Sequence, residues 1–212
     1  MPPTLPANSG DDSHWWHPAN QRGYLFWLGL YLMVHMLIRV LFSDTLQLDD
    51  AEQLLHSQDL ALHYDNFQPP AYTWLSWALF QFLDVSLWTL YGLRYTLIFM
   101  AFWLWYQIAA LLFEEPRWRM AATFSWLLLV EFAWRLHQGS THTVLLTLAL
   151  LASAYVVLIL LQRRSLVLYL GLGAAIGLGL MAKYSYAGFV VAMLLAALGS
   201  REGRRALFDP RM

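Results

Sequence analysis

The chain of 212 residues is 59% hydrophobic and 13% charged, with a formal net charge of -1 and no cysteine. Such a composition needs an apolar exterior and marks a polytopic membrane protein. It excludes disulfides, thiolate nucleophiles and Cys-type zinc sites, and it offers no nucleic-acid footprint.

Residues 1–22, with Pro2, Pro3, Pro6, Asp11 and Asp12, are too polar and proline-rich for a signal peptide and read as a disordered cytoplasmic tail. The apolar run over 24–42 is long enough to cross a hydrocarbon core of about 30 Å. An outer loop over 43–87 follows, carrying Asp44, Asp49, Asp50, Glu52, Asp59, Asp65 and Asp84 and neither lysine nor arginine. Within it, 50–62 places Ala51, Leu54, Leu55 and Leu62 on one helical face and Glu52, His56 and Asp59 on the other, as in a helix lying flat on a membrane. Asp49 and Asp50 fall at its amino-terminal end, where the helix dipole favours ionised carboxylates. Aspartate is also a preferred N-cap, so capping is the competing reading of the pair. The segment 71–83 is too short to cross and reads as an interfacial or re-entrant helix.

Apolar runs over 87–113, 120–136, 143–161, 166–182 and, shorter, 186–198 complete the pattern. With 71–83 not crossing, Arg22, Arg117, Arg119, Arg163, Arg164, Arg201, Arg204 and Arg205 share one side, the positive-inside arrangement. The expectation is an all-α membrane bundle of about six spans over 23–199, with the acidic loop outside and a basic cytoplasmic tail over 200–212. Eleven Trp and eleven Tyr suit headgroup depth, with core packing the alternative for any one of them. Glu131 and Arg135, at i and i+4, read as a structural pair that neutralises itself at membrane depth. Gly173 and Gly177 read as a small-xxx-small packing surface rather than a dinucleotide loop. Arg39, one turn after His35, reads as a packed, snorkelling charge.

The order of pieces carries more than any one of them. An acidic pair opens a surface helix, then come QPPAYTWL, GLRY at the head of a long span, and AKYSYAG after a glycine-rich span. This order resembles the family 39 glycosyltransferases of the GT-C class, and within them the branch with an RgtA/B/C/D-like domain. Protein O-mannosyltransferases and lipid A aminoarabinose transferases are relatives. The resemblance covers about Tyr24 to Leu198 and corresponds to the N-terminal part of longer family members.

The resemblance implies transfer of a sugar from a polyprenyl-phosphate donor to a glycan, lipid or protein acceptor, at the extracytoplasmic side of a bacterial inner membrane. It implies a catalytic acidic pair at Asp49 and Asp50, with Asp49 the base that takes the acceptor's proton. Lys183 matches the family's motif lysine and would hold donor phosphate, against the plain alternative of a snorkelling lysine. Gln68, His142 and Arg94 join it as donor- or substrate-facing residues, Arg94 also as structural partner of a loop carboxylate. Where relatives carry basic residues this chain has Glu52 and Gln68, so the donor is expected to be held differently or to be a different one. No cofactor is expected beyond a divalent ion shared by Asp49, Asp50 and a phosphate. The alternatives are a non-catalytic or truncated relative that binds lipid-linked sugar, and a lipid-carrier transporter.

Overall fold

A computed structural model describes residues 17, 20–43, 45–64 and 67–207. Most of the expected tail over 1–22, together with Asp44, Asp65 and residues 208–212, lies outside them. The described residues are helical and contain no strand. The helices are α1 (Gln21–Phe42), α2 (Leu48–His56), α3 (Ala71–Phe80), α4 (Leu87–Leu112), α5 (Pro116–Phe124), the short α6 (Leu136–Gln138), α7 (Thr141–Gln162), α8 (Leu166–Ala182), α9 (Tyr186–Gly199) and α10 (Arg201–Leu207).

Three of these, α1, α4 and α7, are long and apolar enough to cross a membrane, and α8 and α9 are shorter apolar helices. Helix starts follow the sequence chemistry. Asn20, Ser86 and Ser165 accept from backbone N–H groups in the first turns of α1, α4 and α8. Helix α4 is central, with α1, α5 and α7 against it, and α8 packs on α7. The core is aromatic as well as aliphatic. Tyr24 donates to the Phe102 carbonyl at 3.1 Å and stacks on Tyr106 with ring centroids 4.6 Å apart.

The run over 120–136 is not one regular helix. After α5 the chain passes through a 3-10 turn (Ser125–Leu128) and a π-helical turn (Glu131–Arg135) before α6. Trp126 stacks between Trp105 and Phe132 at centroid distances of 5.0 and 4.0 Å, so bulky ring packing accompanies the break. The Glu131–Arg135 pair is loose, at 4.0 Å, with both side chains exposed.

One other expectation shifts by one face. On α8 the inward stripe is Leu172, Ala175, Gly179 and Ala182, whereas a Cβ at Gly173 or Gly177 would meet nothing. The close approach is at Gly179, where a Cβ would sit 2.5 Å from the Tyr186 ring. Residues 201–207 of the expected basic tail form α10, which docks through a hydrogen bond from Tyr169 to the Ala206 carbonyl.

Candidate active site

Helix α2 buries a polar face. Asp50, Gln53 and Ser57, spaced i, i+3 and i+7, turn inward, while Leu48, Ala51 and Leu55 are exposed. Leu54, expected on the membrane face, packs against the core instead. The outward apolar stripe keeps the character of a helix lying on a membrane, but buried polar groups anchor it.

The anchor has two parts. Arg94 forms an ion pair with Asp50 and also donates from Nη1 to the Gln138 carbonyl at 3.0 Å. Tyr91 donates its hydroxyl to Asp50 Oδ2 at 3.1 Å, and Arg39 approaches the same oxygen at 4.0 Å. One turn on, the Gln53 amide nitrogen donates to His142 Nε2 at 3.0 Å, and its oxygen accepts from Thr73 at 3.0 Å. These contacts tie α2 to α1, α3, α4 and α7.

Asp49 points elsewhere. Neither acidic residue caps the helix, because the N-cap is Gln47. Asp49 is exposed and lines a cleft of about 360 Å³ with Glu52, Phe67, Gln68, Thr141, His142, Thr143 and Lys183. Four of the six residues singled out in the sequence, Asp49, Gln68, His142 and Lys183, therefore meet in one cavity. Arg94 and Asp50 lie behind it, fully buried. Across the cleft, half-buried Lys183 donates from Nζ to the Thr143 hydroxyl at 3.1 Å. Thr143 was not singled out, although it sits beside His142 in the same helical turn.

The cleft sets the chemistry of Asp49. Partial withdrawal from water at the cleft wall raises its carboxyl above the usual carboxylate range, and the charges of Glu52 and Asp50 raise it further, while Arg94 and Lys183 oppose the shift. The helix dipole therefore does not prevail at Asp49, contrary to the simple expectation. A raised carboxylate is a stronger base, suited to accepting a proton from a hydroxyl. Asp50 is buried with its two oxygens engaged by Arg94 and Tyr91. Among the described residues no group of three or more His, Cys, Asp or Glu has a metal-holding arrangement.

A second cavity of about 210 Å³ opens beside Asp49, lined by Gln47, Leu48, Arg135, Gln138, Gly139 and Ser140. A Cβ at Gly139 would lie 2.9 Å from Gln47 Cβ, so a glycine lets this turn approach the start of α2.

The helical bundle gathers a carboxylate, a lysine and hydrogen-bonding side chains in one cleft, and its sequence places it in the class of membrane glycosyltransferases. The chain belongs to the dolichyl-phosphate-mannose-protein mannosyltransferase family, which it matches over residues 67–212, and so to the family 39 relatives of the GT-C class. It is similar to the lipopolysaccharide core galacturonosyltransferase RgtB of Rhizobium johnstonii, with 35% identity over 185 residues. It is also similar to the lipopolysaccharide core galacturonosyltransferase RgtA of the same organism, with 31% identity over 186 residues. Each match covers 87% of this chain and 37% of the relative, so the chain spans well under half the length of these relatives. No solved structure matches.

Proposed function

We propose that the chain is the base-bearing, donor-binding part of a membrane glycosyltransferase that moves a sugar from a polyprenyl-phosphate carrier to an extracytoplasmic acceptor. The observation that carries this reading is the convergence of Asp49, Gln68, His142 and Lys183 on one cleft from four separate stretches of chain. The fold supplies the setting. α1, α4, the broken segment from α5 to α6, α7, α8 and α9 would make six crossings, with α2 and α3 at the outer face of an inner membrane.

Asp49 Oδ takes the proton of the acceptor hydroxyl as that oxygen bonds to the anomeric carbon. The bond from that carbon to the phosphate oxygen breaks, and its electron pair leaves with the polyprenyl phosphate. Because phosphate is a good leaving group, departure needs no general acid, and a single displacement inverts the anomeric centre. Negative charge grows on the phosphate, where the Lys183 ammonium offsets it. Gln68 donates hydrogen bonds to sugar or phosphate oxygens, and His142 is held in place by Gln53. Lipopolysaccharide core, which the relatives' names specify, is the acceptor class to try first.

Sugar transfer in membranes from cells expressing the chain tests this, with a panel of polyprenyl-phosphate sugars and Asp49→Ala at equal expression. Transfer by the native chain and its loss in the variant are expected. Transfer by neither, with the panel active on a control enzyme, would favour a non-catalytic relative that binds lipid-linked sugar.

A further inference from the structure

Asp49 lines both cavities, and each cavity carries one cation. The cleft has Lys183, and the smaller cavity has Arg135. We infer that the smaller cavity is the acceptor subsite and that Arg135 binds an anionic group, carboxylate or phosphate, on the acceptor sugar. This rests on the proposed transferase reading, because it takes Asp49 as the group that the acceptor hydroxyl approaches.

The cavity lies between the start of α2 and the turn from α6 to α7, and buried contacts fix both sides. Gln138, one of its walls, is fixed through its carbonyl to Arg94, and Arg94 also holds Asp50, next in sequence to Asp49. A single buried ion pair therefore sets the base and the opposite wall at once. Ser140 donates to the Arg135 carbonyl at 3.2 Å, which closes the turn that presents this arginine. Arg135 ends the π-helical turn, a conformation concentrated at functional sites. Its side chain is 70% exposed and reaches Glu131 at only 4.0 Å, so a ligand can take the guanidinium.

Charge gives the reason for an arginine here. Asp49 and Glu52 make this end of the bundle negative, and an anionic acceptor would be repelled without a compensating cation. A guanidinium matches carboxylate or phosphate oxygens two at a time, fixing orientation as well as charge. Ser140, Gln138 and Gln47 add the neutral donors and acceptors that sugar hydroxyls require.

The test is binding of deacylated lipopolysaccharide core oligosaccharide to the purified chain in lipid nanodiscs. The probe is used intact, carboxyl-reduced and dephosphorylated. Arg135→Gln should weaken binding of the intact probe about tenfold or more, the size of one charge-assisted bidentate contact, and Arg135→Lys should recover part of it. One modified probe should bind the native chain as weakly as the intact probe binds Arg135→Gln, and should show no further loss in that variant. Whichever modification does so identifies the anion. Undecaprenyl phosphate binding should be unaffected by Arg135→Gln, which also shows that the variant is folded. Equal binding of the intact probe by native and Arg135→Gln protein, or of all three probes by the native protein, would overturn the inference. Absence of binding to the native chain would do the same. Undecaprenyl phosphate binding that ignores Lys183→Ala would instead count against the donor site, which separates the two failures.

Discussion

Asp49 and Asp50 are adjacent and chemically identical, yet the fold gives them opposite surroundings. Asp50 is sealed against Arg94, and Asp49 opens onto two cavities. Asp49→Asn should therefore lower transfer by about a hundredfold or more, the range of general-base contributions, with an unchanged Tm. Arg94→Met should do the reverse of sparing the fold. It leaves Asp50 as an unpaired buried charge, costing about 3–5 kcal/mol in unfolding measurements, and Asp50→Leu in the same protein should recover much of the loss. The pH dependence follows from the raised carboxyl of Asp49. A base works ionised, so kcat/KM falls as pH drops through this group's pKa, and the acid limb lies above that of an ordinary aspartate. Glu52→Gln removes a charge that raises the pKa and should move the limb to lower pH. Lys183→Ala removes a charge that lowers it and should move the limb up.

At the scale of elements, hydrophobic period predicts most helices but not which face a polar partner will claim. The runs over 24–42, 87–113, 143–161, 166–182 and 186–198 return as α1, α4, α7, α8 and α9 with ends displaced by a few residues. Helix α2 is different because its inward face is polar, satisfied by Arg94, Tyr91, His142 and Thr73 from distant parts of the chain. No local pattern in 48–56 contains those partners. The break after α5 is hidden for a related reason, since an apolar run reads the same whether its rings pack along a regular helix or across a π-helical turn. On α8, glycine spacing pointed at Gly173 and Gly177, whereas tertiary packing chose Gly179. Gly179→Val should therefore cost about 1–3 kcal/mol, as overpacked cores do, because the Tyr186 ring is also held by Ser153. Gly173→Ala should leave the Tm unchanged or slightly raised, with open space around the new methyl. Thermal unfolding in detergent of both variants checks the pair.

At the scale of the whole molecule, the acidic loop, the long spans and the ordered motifs made the architecture class and its family readable before any coordinates. Asp49, Gln68, His142 and Lys183 were singled out through the family resemblance rather than from local pattern, and the fold brings all four to one cleft. The second cavity was not readable, because Arg135 had a plausible helical partner in Glu131, and only the turn around Gly139 brings it towards Asp49. The central claim is that the cleft holds a lipid-linked phosphate beside a carboxylate base, and donor binding tests it without requiring turnover. Undecaprenyl phosphate should bind the purified chain in lipid nanodiscs, and Lys183→Ala should weaken that binding about tenfold or more, as loss of a charge-assisted contact does. Arg163→Ala, at the far end of α7, should leave it unchanged. Equal affinity for native and Lys183→Ala protein, or no binding by the native chain, would contradict the account.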